Sequence, residues 1–203
     1  MGRRATAPVI GSPFRRAEAR DVERRSRRGR AGAGPGPAKA PMPDLKPKPP
    51  SASRVEMTEL VMPTDANNLG SAFGGRIVQW MDLAGAVAAR RHARMPVVTV
   101  AIDQLTFLAP VRLGHVAVLR AQVNAAFGTS MEVEVEVLDE DPDTGERRRC
   151  CDGFLTFVAL GPDRRPARVP PLELAGEDER GREHDAHGRR ARRLESRPPR
   201  SRP

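Results

Sequence analysis

The sequence predicts an α+β domain: one apolar helix wrapped by a single curled antiparallel sheet, with a tail lacking a core at each end. Three observations predict it. A 3.6-residue period occurs once, from Gly74 to Ala93, and is apolar over most of its circumference. Strand patterns joined by short turns come once before this helix and four times after it. Charge and aromatic content confine both signals to the middle of the 203-residue chain. Residues 1–54 carry a net +10, residues 55–160 a net −5 and residues 161–203 a net +4, and six of the seven Phe and Trp residues fall in the middle segment. The predicted organisation is a basic Arg/Pro/Gly-rich tail over 1–54, a domain over 55–162 and an Arg-rich tail over 163–203. Tails of this composition bury too little apolar surface to offset the entropy of ordering and are expected to be disordered.

The elements follow in order. VEMTELVMPTDA (55–66) alternates through Val55, Met57, Leu60 and Met62, then meets Pro63 and the turn formers Asp65, Asn67, Asn68 and Gly70, a strand running into a loop. In GGRIVQWMDLAGAVAARRHA, Ile77, Met81, Ala84 and Ala88 share one helical face with Val78, Gly85 and Ala89 beside it. Arg90, Arg91 and His92 complement the C-terminal end of the helix dipole, and Pro96 stops the helix. VVTVAIDQLTFLAP is β-branched and aromatic and ends at Pro110, and VAVLRAQVNAAF is the next strand. After the GTS turn, MEVEVEVLDED places Met131, Val133, Val135 and Val137 on one face and Glu132, Glu134 and Glu136 on the other, a strand with one wet side. The DPDTGE turn leads to a last strand through RRRCCDGFLTFVAL, with Cys150 and Cys151 on opposite faces. A two-layer unit of this size leaves an edge and a face to cover, so dimerisation is expected.

Composition excludes several classes. Cys150 and Cys151 are the only cysteines and are adjacent, with no metal-ligand spacing around them, which suits a reducing compartment such as the cytoplasm. No apolar run reaches the ~20 residues of a membrane span. The N-terminus has no secretory apolar segment, and its acids Glu18, Asp21 and Glu23 fit a mitochondrial presequence poorly. Met42 or Met57 could be the true start. The GxSxG, HExxH, P-loop and dinucleotide-binding motifs are missing, and neither His92 nor His115 has a spaced partner. No metal site and no cofactor are expected.

Asp82 remains as the one charged residue between Arg76 and Arg90 on an otherwise apolar helix, where an ionisable group is costly unless paired or functional. It occupies a wet strip with Gln79, or it acts as a base on water or a nucleophile on a carbonyl. Just before the helix, NNLGSAFGG supplies glycines that let a ligand approach the backbone, and first-turn N–H groups that can hold an oxyanion. Together these amount to half of an acyl-transfer site.

PTDANNLGSAFGGRIVQWMDLAGAVAARRHA, then VVTVAIDQLTFLAPVRLG, GTSMEVEVEV and FLTFVAL, resemble the hot-dog-fold acyl-CoA thioesterases, in the group of bacterial short- to medium-chain acyl-CoA hydrolases and the cytosolic brain-type hydrolase. The resemblance covers about residues 55–162. It implies a helix wrapped by a five-stranded antiparallel sheet, dimers with active sites at the subunit interface, and assembly as hexamers (trimers of dimers). It also implies that Asp82 is the catalytic acid, that Asn67 faces it from the neighbouring subunit, and that backbone N–H groups at Gly74 and Gly75 polarise the thioester carbonyl. The turn Gly128, Thr129 and Ser130, with Arg90 and Arg91 and less directly His92, would meet the coenzyme A portion of an acyl-CoA substrate. Phe107 and Phe127 read as core or groove lining.

Two alternatives are weighed against a fatty acyl-CoA hydrolase. One is a non-enzymatic acyl-CoA-binding hot-dog protein whose basic tails contact nucleic acid or acidic partners. These tails lack interleaved aromatics and any nucleic-acid-reading motif, so only salt-sensitive, nonspecific binding is expected of them. The other is a hot-dog hydratase, which would want an Asp/His pair near the site.

Overall fold

The computed structural model describes residues 45–196. Strand β1 (Val55–Leu60) leads through a loop to helix α1 (Gly74–Ala93). Four strands follow, β2 (Val97–Phe107), β3 (Val116–Ala126), β4 (Ser130–Glu140) and β5 (Arg147–Ala159), and then a second helix, α2 (Glu177–Glu195). All five strands form one antiparallel sheet in the order β1-β3-β4-β5-β2. The hairpins β3–β4 and β4–β5 fill its centre, because short turns can join only antiparallel neighbours. β2 is an edge strand.

One face of the sheet wraps α1. Register aligns Leu119 with Val137, Val123 with Val133, Val133 with Leu155 and Met131 with Phe157, and all of these side chains are buried against the helix residues Ile77, Trp80, Met81, Ala84, Ala88 and Ala89. Burying each large side chain of this kind contributes roughly 1.5–3 kcal/mol. The helix sits unusually close to the sheet at Gly85, where a Cβ would lie 3.0 Å from the ring of Phe157. Arg94 ends α1 in the left-handed conformation (φ 56°), its N–H returning to the Arg90 carbonyl at 2.8 Å.

The opposite face of the sheet differs from its expected wet character. Glu132 points outward as predicted but is fully buried, because α2 lies over it. Arg189 donates from Nη2 to Glu132 Oε1 at 2.7 Å and from Nε at 3.1 Å, and its guanidinium stacks 3.6 Å from the centre of the Phe154 ring. Arg193 pairs with Asp103, which also accepts a hydrogen bond from Thr156 at 3.2 Å. Burial pushes the Glu132 carboxyl above its ordinary pKa, and the Arg189 hydrogen bonds pull it back.

Both domain boundaries are therefore corrected. Residues 163–196, assigned by composition to a disordered tail, hold a docked helix with acids in its first turn (Glu177, Asp178, Glu179) and Arg192 and Arg193 in its last, an order that complements its dipole. Residues 45–54, assigned to the N-terminal tail, also pack on the domain. Lys48 bridges to Leu172, and buried Ser53 donates to the Pro50 carbonyl while accepting from the Val123 N–H. The expectations for residues 1–44 and 197–203 lie outside the described residues. Among the described residues, no helix is long and apolar enough to cross a membrane.

Candidate active site

The loop before α1 is organised by a carboxylate, that of Asp65, and a carboxamide, that of Asn67. Asp65 is buried; it accepts from the Met62 N–H at 3.1 Å, pairs with Arg76 at 2.8 Å, and its backbone carbonyl accepts from the Phe73 N–H at 2.9 Å. Asn67 Oδ1 accepts from the N–H groups of Leu69 and Ser71 at 2.9 and 3.3 Å, and its Nδ2 donates to Ser71 Oγ at 3.2 Å. Gly70 closes this turn at φ +75°.

The loop leaves the start of α1 open. The carbonyls four residues before Gly74 and Gly75 belong to Gly70 and Ser71, and they already accept from Leu113 at 2.9 Å and Asn67 at 2.8 Å. The helix start carries no side-chain cap. Gly74 and Gly75 thus present uncommitted N–H groups at the positive end of the helix dipole. A Cβ at Gly75 would meet nothing within 4 Å, so this is space that a ligand can enter.

Asp82 is half-buried on α1, and Thr99 Oγ1 donates to its Oδ1 at 2.5 Å. Thr99 precedes a register shift in the β2–β5 pairing that leaves Val100 without a partner. A bulge of this kind re-aims the side chains beside it. Thr99 was not a candidate in the sequence, since a threonine within a β-branched run carries no local signal; only the packing of β2 across α1 brings it to the acid. Leu83 and Val87 on α1, with Val98, Val100 and Ile102 on the β2 edge, are exposed around this pair.

A single chain does not bring the predicted site together. Eight residues of helix separate Gly74 from Asp82, about 12 Å at 1.5 Å per residue. That is too far for both to touch one carbonyl carbon, and the hydrogen bonds of Asn67 stay within its own loop.

Among the residues expected to meet coenzyme A, Gly128 (φ +85°), Thr129 and Ser130 form the β3–β4 turn. All three of their carbonyls are committed, to the N–H groups of Val169, Ala159 and Phe127. Arg90 is exposed, whereas Arg91 donates to the Arg54 carbonyl and clamps the N-terminal segment to α1. His92 is corrected from a possible phosphate contact to a core residue. It is fully buried, with Nε2 2.8 Å from the Pro170 carbonyl, and its own carbonyl accepts from Lys48 at 2.6 Å. Burial, with a smaller contribution from Lys48, lowers its pKa, so the neutral ring is favoured. Among the described residues, no group of three His, Cys, Asp or Glu side chains could hold a metal ion. An open groove of about 620 Å³ lies on the outer face of the sheet among Arg54, Glu56, Arg120, Glu134 and Arg149, and contains none of the predicted site residues.

A helix sheathed by a five-stranded antiparallel sheet defines the hot-dog fold. Residues 69–146 match the model of the thioesterase superfamily. The chain is 37% identical over 127 residues to an uncharacterized acyl-CoA thioester hydrolase of Bacillus subtilis, covering 63% of this chain and 74% of that one. A hexameric acyl-CoA thioesterase of known structure superposes with a TM-score of 0.71 at 35% identity, over 74% of this chain and 97% of that one. An acyl-CoA hydrolase from Staphylococcus aureus, solved with butyryl coenzyme A, coenzyme A and coenzyme A disulfide, gives 0.67 at 32% identity, over 73% and 93% of the two chains. The mouse acetyl-coenzyme A thioesterase is 33% identical over 70% of this chain, which spans only 25% of that longer protein. The chain belongs to the thioesterase superfamily.

Proposed function

We propose that the protein hydrolyses fatty acyl-CoA to free acid and coenzyme A at a site shared between two copies. The observation that carries this reading is the separation of two incomplete halves on one helix: open N–H groups at Gly74 and Gly75, and about 12 Å away the Asp82–Thr99 pair. Two copies whose β2 edges pair antiparallel would bring the helix start of one to the acid of the other. The exposed Val98, Val100 and Ile102, with Leu83 and Val87, supply the apolar contact for that pairing. The Staphylococcus aureus acyl-CoA hydrolase has been studied as alanine variants of an asparagine, an aspartate and a threonine spaced 15 and 17 residues apart. Asn67, Asp82 and Thr99 have the same order and spacing.

In this site the thioester oxygen takes hydrogen bonds from Gly74 and Gly75, with the Asn67 amide alongside, and these strengthen as negative charge develops on it. Asp82 of the partner copy takes a proton from water as the water oxygen attacks the carbonyl carbon, or its carboxylate attacks that carbon to give an anhydride that water opens after the thiolate has left. The carbon–sulfur bond breaks and coenzyme A leaves as thiolate. Thr99 holds the Asp82 carboxylate in one orientation. Thr129 and Ser130 contribute hydroxyls, and Arg90 and Arg91 guanidinium N–H groups, for the pantetheine and phosphates. The hexameric relative supports a trimer of such dimers, and relatives named as cytosolic hydrolases support a cytoplasmic setting.

Purified protein is expected to release free thiol from acyl-CoA in a colorimetric assay, and deletion of residues 1–44 to leave turnover intact. Absence of thiol release, with affinity for nucleic acid lost on the same deletion, would favour the non-enzymatic acyl-CoA-binding alternative in which the basic arm carries the function. Thr99→Ala is expected to lower kcat by about ten- to a hundredfold, as for loss of a hydrogen bond to a charged group, with KM little changed. A raised KM with kcat unchanged would instead mark Thr99 as a substrate contact.

A further inference from the structure

Beside the open N–H groups of α1 lies a cavity of about 360 Å³, whose walls include Gly74, Ile77, Phe107, Val111, Cys150 and Cys151. Its shape comes from an irregularity in β5. Val137 pairs with Cys151 and Leu138 with Arg149, so Cys150 is an extra residue in the strand. The alternation that would put the two cysteines on opposite faces is broken there, and both are buried. The Cys150 carbonyl accepts from the N–H groups of Leu108 and Ala109 at 2.8 and 3.2 Å, drawing the chain after β2 across the end of the cavity. The Cys150 thiol lies 3.4 Å from the Pro110 carbonyl, and the Cys151 sulfur 3.7 Å from that of Met81. Phe107, 52% exposed, forms the remaining wall, with its ring 3.4 Å from where a Gly74 Cβ would stand.

A carbonyl carbon whose oxygen rests on the Gly74 and Gly75 N–H groups has two other substituents. The sulfur leads to coenzyme A, which is long, charged and solvated. The acyl chain needs an apolar space beginning within a bond or two of the same N–H groups, and this cavity, walled without a charged side chain, begins at Gly74. We propose that it is the acyl subsite, and that Phe107 and the Cys150–Cys151 pair set the chain length it accepts. The assignment rests on the thioesterase reading above. A thiolate beside a thioester would capture the acyl group as an S-acyl cysteine. Here burial pushes the Cys151 thiol up to about 11 and raises that of Cys150, so both act as small, polarisable apolar surface.

The test is the ratio of kcat/KM for octanoyl-CoA to that for acetyl-CoA, compared within each variant. Cys151→Leu extends the floor into the cavity and should lower the ratio by about tenfold, the equivalent of one to two excluded methylenes. Phe107→Ala opens the half-exposed wall and should raise it. A ratio that does not move in these directions overturns the assignment, and should Cys151→Leu fail to fold, Phe107→Ala decides alone. If the unaltered protein hydrolyses no member of the acyl series, the thioesterase reading itself fails.

Discussion

Asp82→Asn is expected to lower kcat for acyl-CoA hydrolysis by about 10²- to 10⁴-fold with a much smaller change in KM, the signature of a lost proton-transfer or nucleophilic group. The substitution is almost isosteric, and the new amide oxygen can still accept the hydrogen bond that Thr99 now gives to Oδ1. The loss therefore isolates the carboxylate from its packing. Near-normal turnover would remove Asp82 from the mechanism. Because the open helix start and the acid of one chain cannot reach the same carbonyl, the same variant also tests the shared site. Mixed with Asn67→Ala protein, it forms hybrid dimers with one doubly altered site and one intact site, so random exchange restores about one quarter of the wild-type sites. A site contained within one chain would recover nothing.

Arg189→Ala is expected to cost about 3–5 kcal/mol of stability, the usual consequence of leaving a buried charge without its partner. Glu132 is fully buried beneath α2, and Arg189 satisfies both of its oxygens while covering Phe154. With the guanidinium removed, Glu132 must bind a proton or the helix must lift. The pH dependence follows from the direction of the shift. A carboxyl with a folded pKa above its ordinary 4.5 contributes stability that is fully present below that value and lost as pH rises through the folded value. Urea denaturation of Arg189→Ala should therefore show a smaller deficit near pH 4.5 than at pH 7. Replacing the pair together, Glu132→Leu with Arg189→Leu, should recover most of the loss, because it removes both desolvation costs. An unchanged denaturation midpoint in Arg189→Ala would mean that α2 adds nothing to the stability of the domain.

Legibility in the sequence tracked the range of the interaction. The period of α1 and the alternation of Met131, Val133, Val135 and Val137 are properties of neighbouring residues, and both elements lie where those patterns place them. Gly74 and Gly75 at the helix start and Asp82 two turns along it are visible for the same reason, as departures from a local rule. The outward face of β4 was misjudged because its cover comes from far along the chain: 57 residues separate Arg189 from Glu132. The residues around Arg189 carry almost no apolar signal, and Ala186 alone among the side chains of α2 is buried. Composition therefore described that segment as a tail.

The sequence by itself determined the class of fold, the order of its strands around one helix, and the residues at which that helix departs from a purely structural pattern. Hydrophobic periodicity specifies such features residue by residue, without reference to distant partners. Tertiary structure alone decided where the domain ends, what covers Glu132, which hydroxyl holds Asp82, and why adjacent cysteines share one cavity. Each of these depends on register shifts and pairings between segments far apart in the chain. A one-residue bulge at Cys150, or at Val100 beside Thr99, re-aims side chains without leaving a trace in composition or period.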